Sequence, residues 1–271
     1  MKPVSLWHSK LNKDQFEGHY DAVGFVEPKT TILIASTPRS GSHMLGHTMM
    51  KTAQMGVPFE YCNPPVMRQW KQELNLHTAE EVLTELMKKR TSSNGVFSLK
   101  MHLDHVKAFG GLGKTISFLP NVKVIRIVRS DLLRQSVSLS VARQTGVWIS
   151  GQTGKGQEAK YSKALIGDCL HNLIGQNYEW SKQISEHNLP CLTVEFERVL
   201  RDPGRVIEQI AKFADIDASS FPQIETPATR KQSGSRSEDW CDKYLKAYLD
   251  DRKRKQKLKG SMKLIIKRFK G

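Results

Sequence analysis

Residues 30–50 read TTILIASTPRSGSHMLGHTMM, and the fold turns on how this stretch divides. Residues 30–36 form a short apolar, β-branched run, which predicts a buried strand. Thr37-Pro38-Arg39-Ser40-Gly41-Ser42 follows as a loop. Beyond it, Met44, Leu45, Thr48, Met49 and Met55 recur at close to helical spacing. The stretch is strand, tight loop, helix. A helix start leaves backbone N–H groups unpaired and partly positive, so such a loop can cradle an anion. Gly41 allows close backbone approach, Ser40 and Ser42 add hydroxyls, and Arg39 adds a planar cation suited to phosphate or sulfate oxygens. A solvated turn has the same composition, so the loop alone leaves the two readings even.

Gly41 to Thr48 also spells the Walker A spacing, with one departure: His47 stands where the lysine belongs. Near neutral pH a histidine is mostly uncharged, and it is too short to reach a terminal phosphate. Gly46 and His47 would moreover fall inside the helix. A P-loop nucleotide kinase therefore stands as an alternative that would need triphosphate and magnesium.

Working outward, GVFSLKM at 95–101, NVKVIRIVRS at 121–130 and PCLTVEFE at 190–197 give further strands. Helices are expected at 79–90 with Thr78 as N-cap, from Asp131, over 160–186, and at 202–216 with Asp202 as N-cap and Pro203 at the first helical position. Residues 217–237, rich in Ser, Pro, Thr and Arg, read as a loop. Strands alternating with helices predict a single α/β domain, P-loop-like, with a mainly parallel sheet flanked by helices on both faces. The expected division is an N-terminal arm at 1–28, anchored by Trp7 and Phe16, a domain at 29–250, and a basic tail at 251–271.

In such sheets ligands sit at the carboxyl ends of strands. Three polar segments fall there: 36–42, 100–105 and 129–138. Arg129 ends the third strand, and Ser136 and Ser138 follow on the next helix, within reach of one phosphate. Two anion sites at strand ends suggest a ligand phosphorylated at both ends.

The chain has 271 residues, of which 38% are hydrophobic and 25% charged, which suits one globular core. No apolar run is long enough to span a bilayer, and the N-terminus has no apolar signal segment. Cys62, Cys169, Cys191 and Cys241 lie far apart, which argues against a zinc ribbon or disulfide scaffold and suits a reducing, cytoplasmic compartment. His102 and His105 lack a third ligand at suitable spacing, so no metal is expected. Net charge is 42 − 27 = +15, and ten of the basic residues lie between Arg252 and Lys270 with no acid among them. A basic body suits an anionic ligand, while the tail is either a solvated terminus or a segment for anionic lipid at the inner membrane face. A nucleic-acid-binding protein is the reading from a different class. The body lacks interleaved basic and aromatic stripes, so nucleic acid is not expected.

The STPRSGS loop followed by VRSDLLRQSVSLSVARQTGVW resembles the sulfotransferases that use PAPS, adenosine 3′-phosphate 5′-phosphosulfate. The bacterial branch that includes trehalose sulfotransferase is the nearest in pattern. The likeness rests on RSGS, GVPFEY at 56–61, the lysine of FSLKM at 97–101, QTGVW at 144–148 and RKQSGSRSEDW at 230–240. It implies that Thr37, Pro38, Arg39, Ser40, Gly41 and Ser42 hold the 5′-phosphosulfate and that Arg129 with Ser138 holds the 3′-phosphate. Most members place that serine eight residues after the arginine; here the position is Val137, and the hydroxyls stand at seven and nine. Lys231 and Gln232 resemble the late loop that closes over the donor. The product would be adenosine 3′,5′-bisphosphate, with no metal.

Sulfuryl transfer in line between two oxygens is a matter of positioning and charge stabilisation. Arg39 and the loop amides would stabilise charge on the leaving phosphate. The acceptor hydroxyl needs a general base; Glu60 is the first candidate and His102 the second. Lys100 could bridge the sulfate or leaving oxygen. The resemblance implies a carbohydrate or glycolipid acceptor. Trp148, His102, His105, Trp70 and Tyr61 are either its binding groups or core. A homodimer is left open.

Overall fold

The computed structural model describes residues 14–148, 154–224 and 235–269. Among these, β1 (Thr30–Ala35), β2 (Val96–Met101), β3 (Val122–Val128) and β4 (Cys191–Glu195) form one parallel sheet in the order β2-β1-β3-β4. The helices are α1 (Ser42–Met50), α2 (Pro64–Leu74), α3 (Ala79–Arg90), α4 (Leu103–Phe109), α5 (Leu112–Ser117), α6 (Leu132–Thr145), α7 (Lys163–Glu186), α8 (Phe196–Arg201), α9 (Pro203–Phe213) and α10 (Ser235–Phe269). The four expected strands are present, and the sheet is parallel throughout.

Side chains on β1 alternate between two cores, as a strand covered on both faces requires. Leu33 and Ala35 join Phe97, Leu99, Val122 and Val124 in a core closed by α2, α3, α4 and Trp180 of α7. Ile32 and Ile34 join Ile125, Ile127 and Val194 in a second core closed by α1, α8 and α9. Chain order reverses about β1: β2 lies on one side of it and β3 on the other. A crevice opens at the carboxyl end of such a reversal, and ligands of open α/β sheets sit there.

Local signals act where they were expected. Glu81 N–H donates to Thr78 Oγ1 at 3.1 Å and Thr78 N–H to Glu81 Oε2 at 2.8 Å, a complete capping box for α3. Asp131 caps α6 through Arg134 N–H at 2.8 Å, and Asp202 caps α9 through Arg205 N–H at 3.1 Å. The expected loop at 217–237 ends sooner than the composition suggested, because α10 is already helical at Ser235. Of the arm's two expected anchors, Phe16 packs on Trp70 with ring centroids 4.7 Å apart, and Trp7 lies outside the described residues. Arg90, 1% exposed, ties this segment down through Asp21 at 3.0 Å and the carbonyl of Gln15 at 3.1 Å.

Candidate active site

The loop after β1 is built from two left-handed residues. Arg39 has φ 65° and Gly41 φ 89°. At Gly41 the conformation favours glycine, and a Cβ there would run into the Phe196 ring. The turn leads from the carboxyl end of β1 straight into the start of α1. Gln135 of α6 clamps the loop from the side, donating to Thr37 Oγ1 at 2.9 Å and to the Pro38 carbonyl at 2.8 Å. Gly46 and His47 lie inside α1, so the Walker-like spacing forms no phosphate loop of its own.

Arg129, just past β3, donates to the Arg39 carbonyl at 3.4 Å, lies 3.9 Å from Glu197, and sits over the Phe196 ring at 4.9 Å. Arg39 Nε donates to Ser138 Oγ at 2.9 Å, and its Nη1 to the Trp148 carbonyl. Arg39 and Ser138, assigned by resemblance to opposite ends of the donor, thus meet directly. Burial, and then the charge of Arg129, push the Arg39 pKa down. Two guanidiniums crowded at adjacent strand ends are a setting that an anion relieves. Ser136 is committed elsewhere: it is buried and donates to the Leu132 carbonyl at 2.6 Å. Ser138 is the hydroxyl that α6 turns toward the loop.

The second half of the site lies at the end of β2. Residues 55–59 run beside this edge strand: Lys100 N–H donates to the Phe59 carbonyl at 2.9 Å, and Ser98 Oγ to the Met55 carbonyl. Gly56, at φ 65°, permits that approach, since a Cβ there would lie 2.7 Å from Ser98 N. The segment delivers Glu60 to Lys100, Oε1 to Nζ, at 3.0 Å. Asn63 donates to the other oxygen at 3.0 Å, and His102 Nε2 is 3.5 Å from Oε1. Burial alone would raise the Glu60 pKa; Lys100, His102, His105 and the Asn63 bond outweigh it and hold the carboxyl well below its usual range. Lys100, 5% exposed, turns inward to this pair rather than to solvent.

His102 is fixed from behind: its Nδ1 lies 2.9 Å from Ser36 Oγ and 3.1 Å from the Ser36 carbonyl, which also accepts from Trp180 Nε1 at 2.9 Å. Burial, opposed by Glu60, lowers its pKa. His105 Nδ1 accepts from His102 N–H at 3.2 Å, which requires the neutral tautomer. Burial pushes His105, and His43 of α1, down to about 3. Sequence reasoning passed over His43; its place in the first turn after the loop was the available signal. Trp70 and Tyr61, 4% and 0% exposed, belong to the core and not to an acceptor surface. Lys231 and Gln232 lie outside the described residues. Among the described residues, no three His, Cys, Asp or Glu side chains are grouped to hold a metal.

A loop with the build to cradle an anion, a second arginine beside it and a half-buried Glu-Lys-His group thus share one end of the sheet. Residues 31–247 match the Stf0 sulphotransferase family. The chain belongs to that family. It is a sulfotransferase, and family membership implies PAPS as donor. No curated protein matches the chain. Among solved structures it is similar to a sulfotransferase from Alicyclobacillus acidocaldarius, at 9% identity and TM-score 0.47, covering 81% of this chain and 92% of that one. It is also similar to sulfotransferase STF9 from Mycobacterium avium, at 12% and 0.44, covering 88% and 71%. Mouse sulfotransferase SULT7A1 complexed with PAP is similar at 15% and 0.42, covering 80% and 69%.

The described residues fit the donor. Ser40 Oγ is wholly buried in the loop and has no hydrogen-bond partner among the described residues, an unmet donor that a phosphate or sulfate oxygen satisfies.

Proposed function

We propose that this sulfotransferase moves the sulfuryl group of PAPS onto a hydroxyl of a carbohydrate or glycolipid, with Glu60 receiving the hydroxyl proton. The observation that carries the reading is the Glu60–Lys100 pair at 3.0 Å, one strand over from the anion loop. PAPS supplies an activated sulfuryl group whose departure leaves adenosine 3′,5′-bisphosphate. Thr37 to Ser42 hold the 5′ end, with Arg39 opposing charge that grows on the leaving oxygen. Arg129 and Ser138 hold the 3′-phosphate.

Glu60 is ionised at neutral pH, as a base must be, yet its partners make it a weak one. Lys100 resolves this. When its ammonium turns to a sulfuryl or leaving oxygen, the strongest charge holding the Glu60 pKa down is withdrawn, and the carboxylate gains proton affinity as the hydroxyl loses its proton. His102, neutral and hinged on Ser36, orients Glu60 from the other side and is the alternative base. Trp148 lines the acceptor side, and His105 stays buried behind Glu60. No step needs a metal.

The test has two arms. Adenosine 3′,5′-bisphosphate at a hundred times its Kd should stabilise the chain by about 2.7 kcal/mol, seen as a rise in Tm. Radiolabelled PAPS offered with disaccharides, glycolipids and lipopolysaccharides should label a sugar hydroxyl. No Tm shift would reject the donor site, and a Tm shift with no label on any of these sugars would reject the acceptor class.

A further inference from the structure

The structure continues α10 as one helix from Ser235 to Phe269, straight through the expected start of the tail. Its first half packs on the body. Trp240 is 5% exposed in a cluster with Val137, Ala159 and Ile166, joined by Tyr244. Over the next two turns Lys163, the first residue of α7, bonds the Ala247 carbonyl at 3.3 Å and Asp251 at 2.5 Å. Tyr244 lies near Gly167 and Asp251 near Lys163, so α10 runs antiparallel to α7 and passes its start at about Asp251.

The line of positions that faces the body does not end there. Trp240, Tyr244, Asp251, Leu258, Met262, Ile265 and Phe269 follow one another at steps of three, four or seven, one stripe of an α-helix. From Leu258 on every member of that stripe is apolar, while Arg254 and Lys255 border it in the turn before. The remaining positions carry ten Lys and Arg between Arg252 and Lys270 and no acid. Three described side chains next to this projection, Leu245, Tyr248 and Leu249, are about half exposed.

We infer that the projecting half of α10 is a docking helix for an anionic lipid surface. Its apolar stripe enters the headgroup boundary and its basic flanks meet the lipid charge. Charge decides between occupants. A second copy brought onto the same stripe would set two acid-free basic segments side by side, a repulsion that nothing in the segment offsets. A nucleic acid would meet the cations but has no use for Leu258, Met262, Ile265 and Phe269. An anionic bilayer satisfies both faces. The helix has neither the length of apolar sequence nor the freedom from charge to cross, and among the described residues no helix does. The inference does not depend on the acceptor, because binding is read without turnover.

The experiment is sedimentation of the full chain with vesicles of phosphatidylcholine alone and of phosphatidylcholine with one third phosphatidylglycerol. The chain should pellet with the anionic vesicles only, and high salt should weaken binding. Met262→Glu with Ile265→Glu should reduce pelleting at least tenfold, and so should Lys253→Gln with Arg254→Gln and Lys257→Gln. The Tm rise with adenosine 3′,5′-bisphosphate, read on each variant, separates loss of docking from loss of fold. Equal pelleting on both vesicles overturns the inference, as does pelleting indifferent to Met262 and Ile265. A solution dimer split by the Met262/Ile265 variant would assign the stripe to a second copy. Binding of a DNA duplex with the same losses, without vesicle binding, would assign it to nucleic acid.

Discussion

In the proposed reaction Arg39 and Glu60 divide the chemistry between them, and each can be tested alone. Arg39→Ala removes the guanidinium that bonds Ser138 and stands beside Arg129. Losing a preorganised cation of this kind typically costs 10²–10³ in kcat, about 3–4 kcal/mol, with the fold intact by circular dichroism. A near-normal rate would remove Arg39 from the mechanism. Glu60→Gln keeps the shape but removes the proton acceptor; kcat should fall at saturating PAPS while adenosine 3′,5′-bisphosphate binds as before. Unchanged kinetics would move the role to His102. Lys100→Met is the sharper test. Lys100 is the largest influence lowering the Glu60 pKa, so its loss should move the acid limb of the kcat/KM profile to higher pH. A limb that stays in place would mean that Glu60 does not set it. The residue types of this group were legible in the sequence: a glutamate in GVPFEY, a lysine ending FSLKM, a histidine after it. Their convergence was not, because it depends on Gly56 letting residues 55–59 run along the edge of β2.

Elements were legible where the local code was strong. The capping box of α3 could be read from Thr78, and Thr78→Ala should cost about 1 kcal/mol in a urea melt without touching activity. For α6 the sequence put Asp131 in the first turn, and the structure makes it the cap; the same logic located α9 from Asp202. It failed for α4, α5 and α8, which have 7, 6 and 6 residues. Two turns are too few to show a period of 3.6. It also passed over α2, whose Pro64 and Pro65 stand at the helix start, where a missing N–H costs nothing. The anion loop is the element on which the site depends. Gly41→Ala would force a Cβ at φ 89° into the Phe196 ring, displacing the loop or α8. The expected result is a loss of stability of about 1–3 kcal/mol with loss of adenosine 3′,5′-bisphosphate binding. A variant of normal stability and binding would show that the loop tolerates another geometry.

Gathering the site at the end of one sheet has a consequence for the whole molecule: its stability is tied to pH through imidazoles kept neutral. His105 is 5% exposed and held down to about 3 by burial, opposed by Glu60 and assisted by His102 and Lys100. His43 is held down to about 3 by burial, with Lys100 and His47 adding to it against Glu60. Unfolded, each titrates near 6.5. Between about pH 3 and 6.5 the unfolded chain therefore binds protons that the folded chain refuses, so stability falls as the pH drops through that window and is complete above it. Glu60 acts lower. Its folded pKa is depressed, so the stability it contributes is present above about pH 4.3 and is lost as the pH falls through its folded value. The steepest loss between pH 6 and 5 should thus come from histidine. Each buried imidazole contributes at most about 1.4 kcal/mol per pH unit there. His105→Gln isolates one of them: a glutamine oxygen can accept the His102 N–H now bonded to Nδ1, and it does not titrate. Urea midpoints at pH 7, 6 and 5 should show a shallower fall for the variant, by up to one proton. Parallel slopes would mean that His105 takes up its proton in the folded state, and the buried neutral imidazole behind Glu60 would have to be abandoned.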